Sequence, residues 1–270
     1  MAKVVSAFAF AEELAALPWL VERITADPTD TFAADPFLGL AGPISGSLRV
    51  LPEGLLPSGK PDREPLEGFV GGNGSRIVRV RTVTRPAIVL GVAQRDDVID
   101  GAAAEAHGIA VVRRRSGGGA VWLDASSVSW IDVLIGVNDP LWRTDVGEAF
   151  WWLGDLWANS LRTYDPSLDV AAYRGPLVTN EWSKLICYAG LGPGEVTVGG
   201  AKVVGISQKR TREAALFQCG LLHGWDPSML LHYCVLSDDD RTRAYEDLED
   251  ACSTVPLDAV ESFLQMLNAS

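Results

Sequence analysis

Residues 194–210, GEVTVGGAKVVGISQKR, leave the chain little choice of local structure. Two valine-rich segments flank Gly199-Gly200, and paired glycines suit a two-residue hairpin turn because both central positions take positive φ. With that turn the register is fixed: Lys202 falls opposite Thr197, and Val204 opposite Glu195 on the same face. Lys202, Thr197 and Glu195 then form a polar cluster on an otherwise apolar hairpin. A lysine in such a hairpin is ordinarily a surface cation. Gly205 weighs against that reading here, since a glycine in mid-strand weakens the strand and marks close approach by a ligand or another backbone.

A second segment, VVRRRSGGGAVWLD at 111–124, has a related character. An apolar strand ends in Arg113, Arg114, Arg115 and Ser116. Gly117, Gly118 and Gly119 follow, and a second apolar strand begins at Ala120. Three glycines permit positive φ and leave backbone N–H groups bare, able to approach a ligand closely. Arginine beside them adds a charge that pairs with carboxylate or phosphate. Taken alone, the same composition also serves an ordinary flexible hairpin loop.

Around these two segments the pattern mixes strands and helices. RIVRVRT at 76–82 alternates with period two, which places arginines on one face and apolar residues on the other. AIVLG (87–91), AVVRR (110–114) and VSWIDVLIG (128–136) also read as strands, and DDVIDGAAAEAHG as a short helix closed by Gly108. Asp145 and Glu148 have capping-box spacing ahead of a helix to 163, whose aromatics at 150, 151, 152 and 157 are most simply core. Asp226-Pro227 starts a further helix, with two more helical stretches after it. Residues 9–25 read as a helix, and 27–75, rich in Pro, Gly and Asp, as a long irregular connection. The expected class is α+β, with mixed, mostly antiparallel sheets flanked by helices.

Charge narrows the functional classes. The 270 residues carry 23 Lys+Arg against 35 Asp+Glu, a formal charge of 23 − 35 = −12. So acidic a chain is a poor match for gripping a phosphate backbone, and no nucleic-acid partner is expected. The distribution is uneven: residues 76–115 hold eight arginines against four acids, whereas 226–270 hold two against ten. A basic segment in an acidic chain suits a small anionic ligand, although most of these arginines read as solvated strand residues. No apolar run reaches the roughly 18 residues of a spanning helix, so no membrane association is expected. Four cysteines without CxxC spacing point to a reducing cytoplasm. No His/Cys cluster has metal-ligand spacing, and no GxxxxGK[ST] loop is present.

Together the two glycine segments resemble the catalytic domain of the biotin/lipoate protein ligase superfamily, specifically its lipoate–protein ligase branch. That family shows an RRxSGGGAVxHD loop, matched from Arg113 to Asp124 except that Leu123 replaces the histidine. Its GxKxxG hairpin is matched by Gly200, Lys202 and Gly205, and its P-x-(apolar)-x-x-G-x-x-Q strand by Pro86, Gly91 and Gln94. The resemblance spans about residues 76–225, so 76–270 is expected to form a ligase-like catalytic domain with C-terminal helices, preceded by 1–75. Other departures are Val92 where many relatives carry arginine, and Ser126-Ser127 in place of Gly-Asn. Asp132, inside an apolar strand, is costly unless paired.

The resemblance implies two-step chemistry: ATP and lipoate or octanoate form an acyl-adenylate, which a lysine of a lipoyl-type domain then attacks. By that resemblance Lys202 would sit between the acyl carbonyl and the α-phosphate, offsetting charge that develops in the transition state. Arg114, Ser116, the three glycines, Ala120, Asp124 and Gly91 would line the acid or adenylate. Gly200, Gly205, Ser207, Glu195 and Thr197 would lie along the nucleotide. Glu195 reads equally as a partner for ATP-bound Mg²⁺ or as the ion-pair partner of Lys202. Cys187, fifteen residues before Lys202, matches the nucleophile spacing of cysteine-dependent octanoyltransferases in the same superfamily. A thiolate there would take an acyl group from acyl carrier protein without ATP, while a cysteine between apolar neighbours also reads as core. A third reading is a paralogue that binds the acid or the nucleotide without catalysis.

Overall fold

The computed structural model describes residues 19–33 and 76–268. In chain order these form β1 (Trp19–Ala26), α1 (Pro28–Ala33), β2 (Arg76–Val83), β3 (Ala87–Leu90), α2 (Gly101–Ala106), β4 (Ala110–Arg113), β5 (Val121–Leu123) and β6 (Val128–Gly136). After α3 (Trp151–Tyr164) come β7 (Val170–Ala172), β8 (Val196–Val198), β9 (Ala201–Arg210) and β10 (Ala214–Leu222). Three helices follow: α4 (Pro227–Leu231), α5 (Asp238–Leu248) and α6 (Ala259–Asn268). A seven-stranded sheet has the order β1-β2-β6-β10-β9-β8-β7, and a three-stranded sheet the order β4-β3-β5. Only the β1/β2 and β3/β4 pairs are parallel, so the class is α+β with mostly antiparallel sheets.

The interior strand β6, third of the seven, is buried on both faces and explains the layering. Ile131, Val133 and Ile135 face one way, into a cluster with Trp152, Leu153, Leu156 and Trp157 of α3. Trp157 stacks on Phe263 of α6, with ring centroids 3.8 Å apart. Each such large side chain contributes roughly 1.5–3 kcal/mol by leaving water. Asp145 Oδ1 accepts the Glu148 N–H at 2.9 Å, but it does so at a 3-10 turn (Glu148–Phe150) ahead of α3, which itself has no side-chain cap. On the opposite face, Val128 and Trp130 pack with Val89, Val112, Val121 and Leu123 of the small sheet. The glycine segment, linking β4 to β5, therefore lies where the two sheets meet.

Three expectations need correction. The helix expected over 9–25 is a strand from Trp19 to Ala26, paired in parallel with β2 from Trp19↔Arg76 to Ala26↔Val83. Its apolar spacing suits either period; β-branched Val21, Ile24 and Thr25 and the edge of β2 decide for the sheet. Residues 9–18, and 34–75 of the expected connection, lie outside the described residues. The basic segment is not mainly solvated either. Arg76 is buried against Asp139 (2.8 Å), and Arg81 against Asp132 (2.6 Å). Arg114 is 2% exposed. Nor do the arginines share one face, because Arg76 turns to the helical side and lies 5.1 Å from the Trp19 ring. Pairing is what makes charge tolerable inside a sheet.

Candidate active site

The β8–β9 hairpin turns at Gly199 (φ 59°) and Gly200 (φ 86°), the two positive values that the sequence requires. Thr197 pairs with Lys202 as expected. Beyond that point the register shifts, and Val204 faces Val196 rather than Glu195. One extra residue on β9 makes a bulge, which re-aims the neighbouring side chains. Glu195 is thereby free to turn back: its Oε1 lies 2.7 Å from Lys202 Nζ, with the two side chains 7% and 4% exposed. Nζ also donates to the carbonyls of Cys187 and Gly190, each at 3.1 Å. Burial pushes the Lys202 pKa down, but the adjoining Glu195 carboxylate more than reverses this, and the net shift is upward. The amine is held as ammonium. The Glu195 oxygens also accept the N–H groups of Ile206 (3.1 Å) and Gly192 (2.6 Å).

The glycine segment is held from within by Arg114. Its guanidinium donates to the carbonyls of Gly117 (2.7 Å), Gly119 (2.9 Å) and Val89 (3.2 Å). Gly118 takes φ 98°, and a Cβ on Gly91 would lie 1.9 Å from the Gly118 carbonyl oxygen, so β3 presses directly on the loop. Ala120 N–H donates to Leu185 O (2.7 Å), and Cys187 N–H donates to Ala120 O (2.9 Å). Cys187 is consequently where the two segments meet. Its Sγ is 3.7 Å from Arg114 Nη2, and its carbonyl accepts from Lys202.

Ser116 anchors the loop to the large sheet. Its hydroxyl is 2.7 Å from Gln218 Oε1 and 2.7 Å from Ser207 Oγ. The Gln218 amide donates to Asp132 Oδ1 at 3.2 Å, and Arg81 closes the chain on the other carboxylate oxygen. Asp132, costly when read alone, is thus paired. Asp124 takes a different part, gathering Ser126, Ser127 and Trp122 into a turn. Burial opposes its ionisation, yet hydrogen bonds from Ser127, Ser126 and Trp122 outweigh that and hold the carboxyl at about 2. Leu123, at the position of the family histidine, is buried in the apolar cluster between the sheets.

Tyr188 fills the space beside the amine. Gly205 and Gly220 face one another across β9 and β10. A Cβ on Gly205 would lie 3.4 Å from the Tyr188 ring, and one on Gly220 would lie 2.4 Å from its hydroxyl. That hydroxyl donates to Gly220 O at 2.8 Å, and Lys202 Nζ is 5.0 Å from the ring centroid. Tyr188 also lines a cavity of about 380 Å³, with Ala120, Ile186, Val121, Leu222 and Trp225 among its walls.

The structure therefore brings together Lys202, Glu195, Thr197, Gly205, Cys187, Arg114, Ser116, Ser207 and Gly91 with the Gly117–Ala120 loop. Gly200 stands at the exposed hairpin tip, and Asp124 at the cavity. Sequence reasoning missed Tyr188 and Gln218. The signal for Tyr188 was Gly220, a second mid-strand glycine; for Gln218 it was the unpaired Asp132. Among the described residues no cluster of three or more His, Cys, Asp or Glu could hold a metal ion, and no helix is long and apolar enough to cross a membrane.

A family model described as the lipoyl protein ligase A/B catalytic domain matches residues 66–255. No curated protein sequence matches the chain. Among solved structures, the chain is similar to a bipartite lipoate protein ligase from Thermoplasma acidophilum, studied with its E2 lipoyl domain. The TM-score is 0.57 at 19% identity, covering 72% of this chain and 71% of the other. It is also similar to a protein of that archaeon, assigned as a lipoate protein ligase and bound to lipoic acid. There the TM-score is 0.53 at 15% identity, covering 94% and 95% of the two chains. At these identities the likeness is one of fold.

Proposed function

Because the chain belongs to the lipoyl protein ligase A/B catalytic-domain family, we propose that it activates lipoate or octanoate with ATP and passes the acyl group to a lysine of a lipoyl domain. The observation that carries this reading is the buried Lys202 ammonium, joined through Cys187 to the three-glycine loop. In the first step a carboxylate oxygen attacks the α-phosphorus of ATP, forming the acyl-adenylate and releasing pyrophosphate. Lys202 exchanges its bonds to the Cys187 and Gly190 carbonyls for the acyl and phosphate oxygens, while Glu195 keeps it charged. An ammonium already desolvated and held in place needs little reorganisation as negative charge develops. The apolar cavity takes the hydrocarbon chain; about 380 Å³ lies within the ordinary range for small-ligand pockets. In the second step the acceptor lysine, as free amine, attacks the acyl carbonyl. AMP leaves, and the proton from nitrogen is lost as the amide forms.

Mg²⁺ arrives on the ATP phosphates. Both Glu195 oxygens are committed within the protein, which favours its role as the Lys202 partner over that of a metal ligand. The protein is read as cytoplasmic from its four cysteines without CxxC spacing. A panel of lipoate, octanoate and biotin, each with and without ATP, on an apo lipoyl domain tests the proposal. ATP-dependent mass gain with lipoate or octanoate is expected; gain with biotin alone, or equal gain without ATP, would overturn it.

A second reading is favoured by one specific distance, the 3.7 Å between Arg114 Nη2 and Cys187 Sγ. From there the Cys187 sulfur would attack an octanoyl thioester on acyl carrier protein, its proton leaving with the carrier thiol as a new thioester forms on Cys187. Intact mass after mixing with octanoyl carrier protein separates the readings. An adduct that Cys187→Ser abolishes supports transfer; ATP-dependent labelling that survives it supports ligation.

A further inference from the structure

Gly205 and Gly220 face one another in mid-strand; a Cβ on Gly220 would meet the Tyr188 hydroxyl at 2.4 Å, and one on Gly205 would meet Lys202 Cε at 3.3 Å and the Tyr188 ring at 3.4 Å. The ring is buried, latched by its hydroxyl to Gly220 O, and edged by Trp225 at 5.7 Å between centroids. The ring contributes to the cavity wall, and Lys202 Nζ lies 5.0 Å from its centroid. Lys202 itself is absent from the wall and gives its three donors to Cys187, Gly190 and Glu195. An acid lying in the cavity therefore meets an aromatic wall before it meets the amine.

We propose that Tyr188 is the specificity-determining wall of the acyl site: seated on the floor made by Gly205 and Gly220, its ring partitions the apolar cavity from the Lys202 amine, so an acid reaches that amine only along the ring edge. The proposal rests on the acyl-activating reading. A thin methylene chain passes an aromatic edge, whereas a longer or bulkier chain needs the room that the ring occupies. Shape exclusion of this kind discriminates by what it rejects. The hydroxyl latch adds selectivity because the ring can move aside only by giving up a buried hydrogen bond.

The test uses the full chain as wild type, Tyr188→Phe, Tyr188→Ala and Gly220→Ala. The last puts a methyl 2.4 Å from the Tyr188 hydroxyl and so pushes the ring off its seat, which keeps the test available if Tyr188→Ala does not fold. Two readouts are taken: labelling of Lys202 by a water-soluble amine-reactive ester, followed by peptide mass spectrometry, and the relative affinities of octanoate and hexadecanoate. Tyr188→Ala and Gly220→Ala should raise Lys202 labelling at least ~10-fold and shift the affinity ratio toward hexadecanoate by a similar factor. Tyr188→Phe, losing only the latch, should raise labelling about 5-fold. Unchanged labelling and an unchanged ratio in folded variants that still bind octanoate would overturn the wall while leaving the acyl reading intact. No binding of either acid by any of the four proteins would overturn the acyl reading, and the assigned specificity with it.

Discussion

Lys202 Nζ and Glu195 Oε1 lie 2.7 Å apart with almost no exposure to water, although the hairpin register shifts between Val196 and Thr197. Removing one partner strands the other charge in the interior. Glu195→Gln should therefore lower stability by about 3–5 kcal/mol, and combining it with Lys202→Met should recover much of the loss. Urea unfolding of the single and double variants measures this coupling. Additive losses would show that the pair is not a unit.

The cysteines should separate sharply by reactivity. Burial pushes the Cys252 thiol up to about 12 despite the nearby Lys202 cation, and Cys234 also to about 12. Burial raises Cys219 further still. Cys187 and Cys252 are both partly buried, so Cys252 is protected by its raised pKa and by the contact of its Sγ with Tyr188 O at 3.8 Å. Iodoacetamide at pH 8 is expected to give one principal adduct, on Cys187, by peptide mass spectrometry. Equal labelling of Cys252 would contradict the packing around Tyr188.

Asp124 gives a pH signature. Its folded pKa of about 2 lies below the ordinary 3.8, so its contribution to stability is complete above that value and is lost as pH falls toward 2. Asp124→Asn should flatten the decline in urea stability between pH 5 and pH 2.5. An identical decline in the variant would assign the acid sensitivity to other groups.

Contact between β3 and the glycine loop is steric and can be tested by one methyl. Gly91→Ala places a Cβ 1.9 Å from Gly118 O, so the loop must move. Loss of acyl transfer on the order of 100-fold is expected, as displacing a positioned group by an ångström costs about that much. Gly101→Ala, with nothing within 4 Å of its Cβ, is the matched control and should retain activity.

Much of this architecture was legible in the sequence, because period-two strands and paired glycines carry their geometry locally. Thr197 opposite Lys202 followed from Gly199-Gly200 alone. The bulge that aims Glu195 did not, since an extra residue in one strand has no signature in a valine-rich run. Trp19–Ala26 was misread because its spacing suits two periods, and the deciding partner, β2, lies some fifty residues on. Arg76 and Arg81 looked solvated because Asp139 and Asp132 are distant in sequence. Tyr188 escaped for a similar reason: its seat is built from two glycines on different strands, of which only Gly205 stood out.

The most direct test of the central claim compares acyl transfer to an apo lipoyl domain by wild type and Lys202→Ala, followed by intact mass with octanoate or lipoate and ATP. The wild type is expected to modify the acceptor, and the folded variant, checked by circular dichroism, to leave it unmodified. Transfer by Lys202→Ala at the wild-type rate would remove this amine from the chemistry and contradict the account.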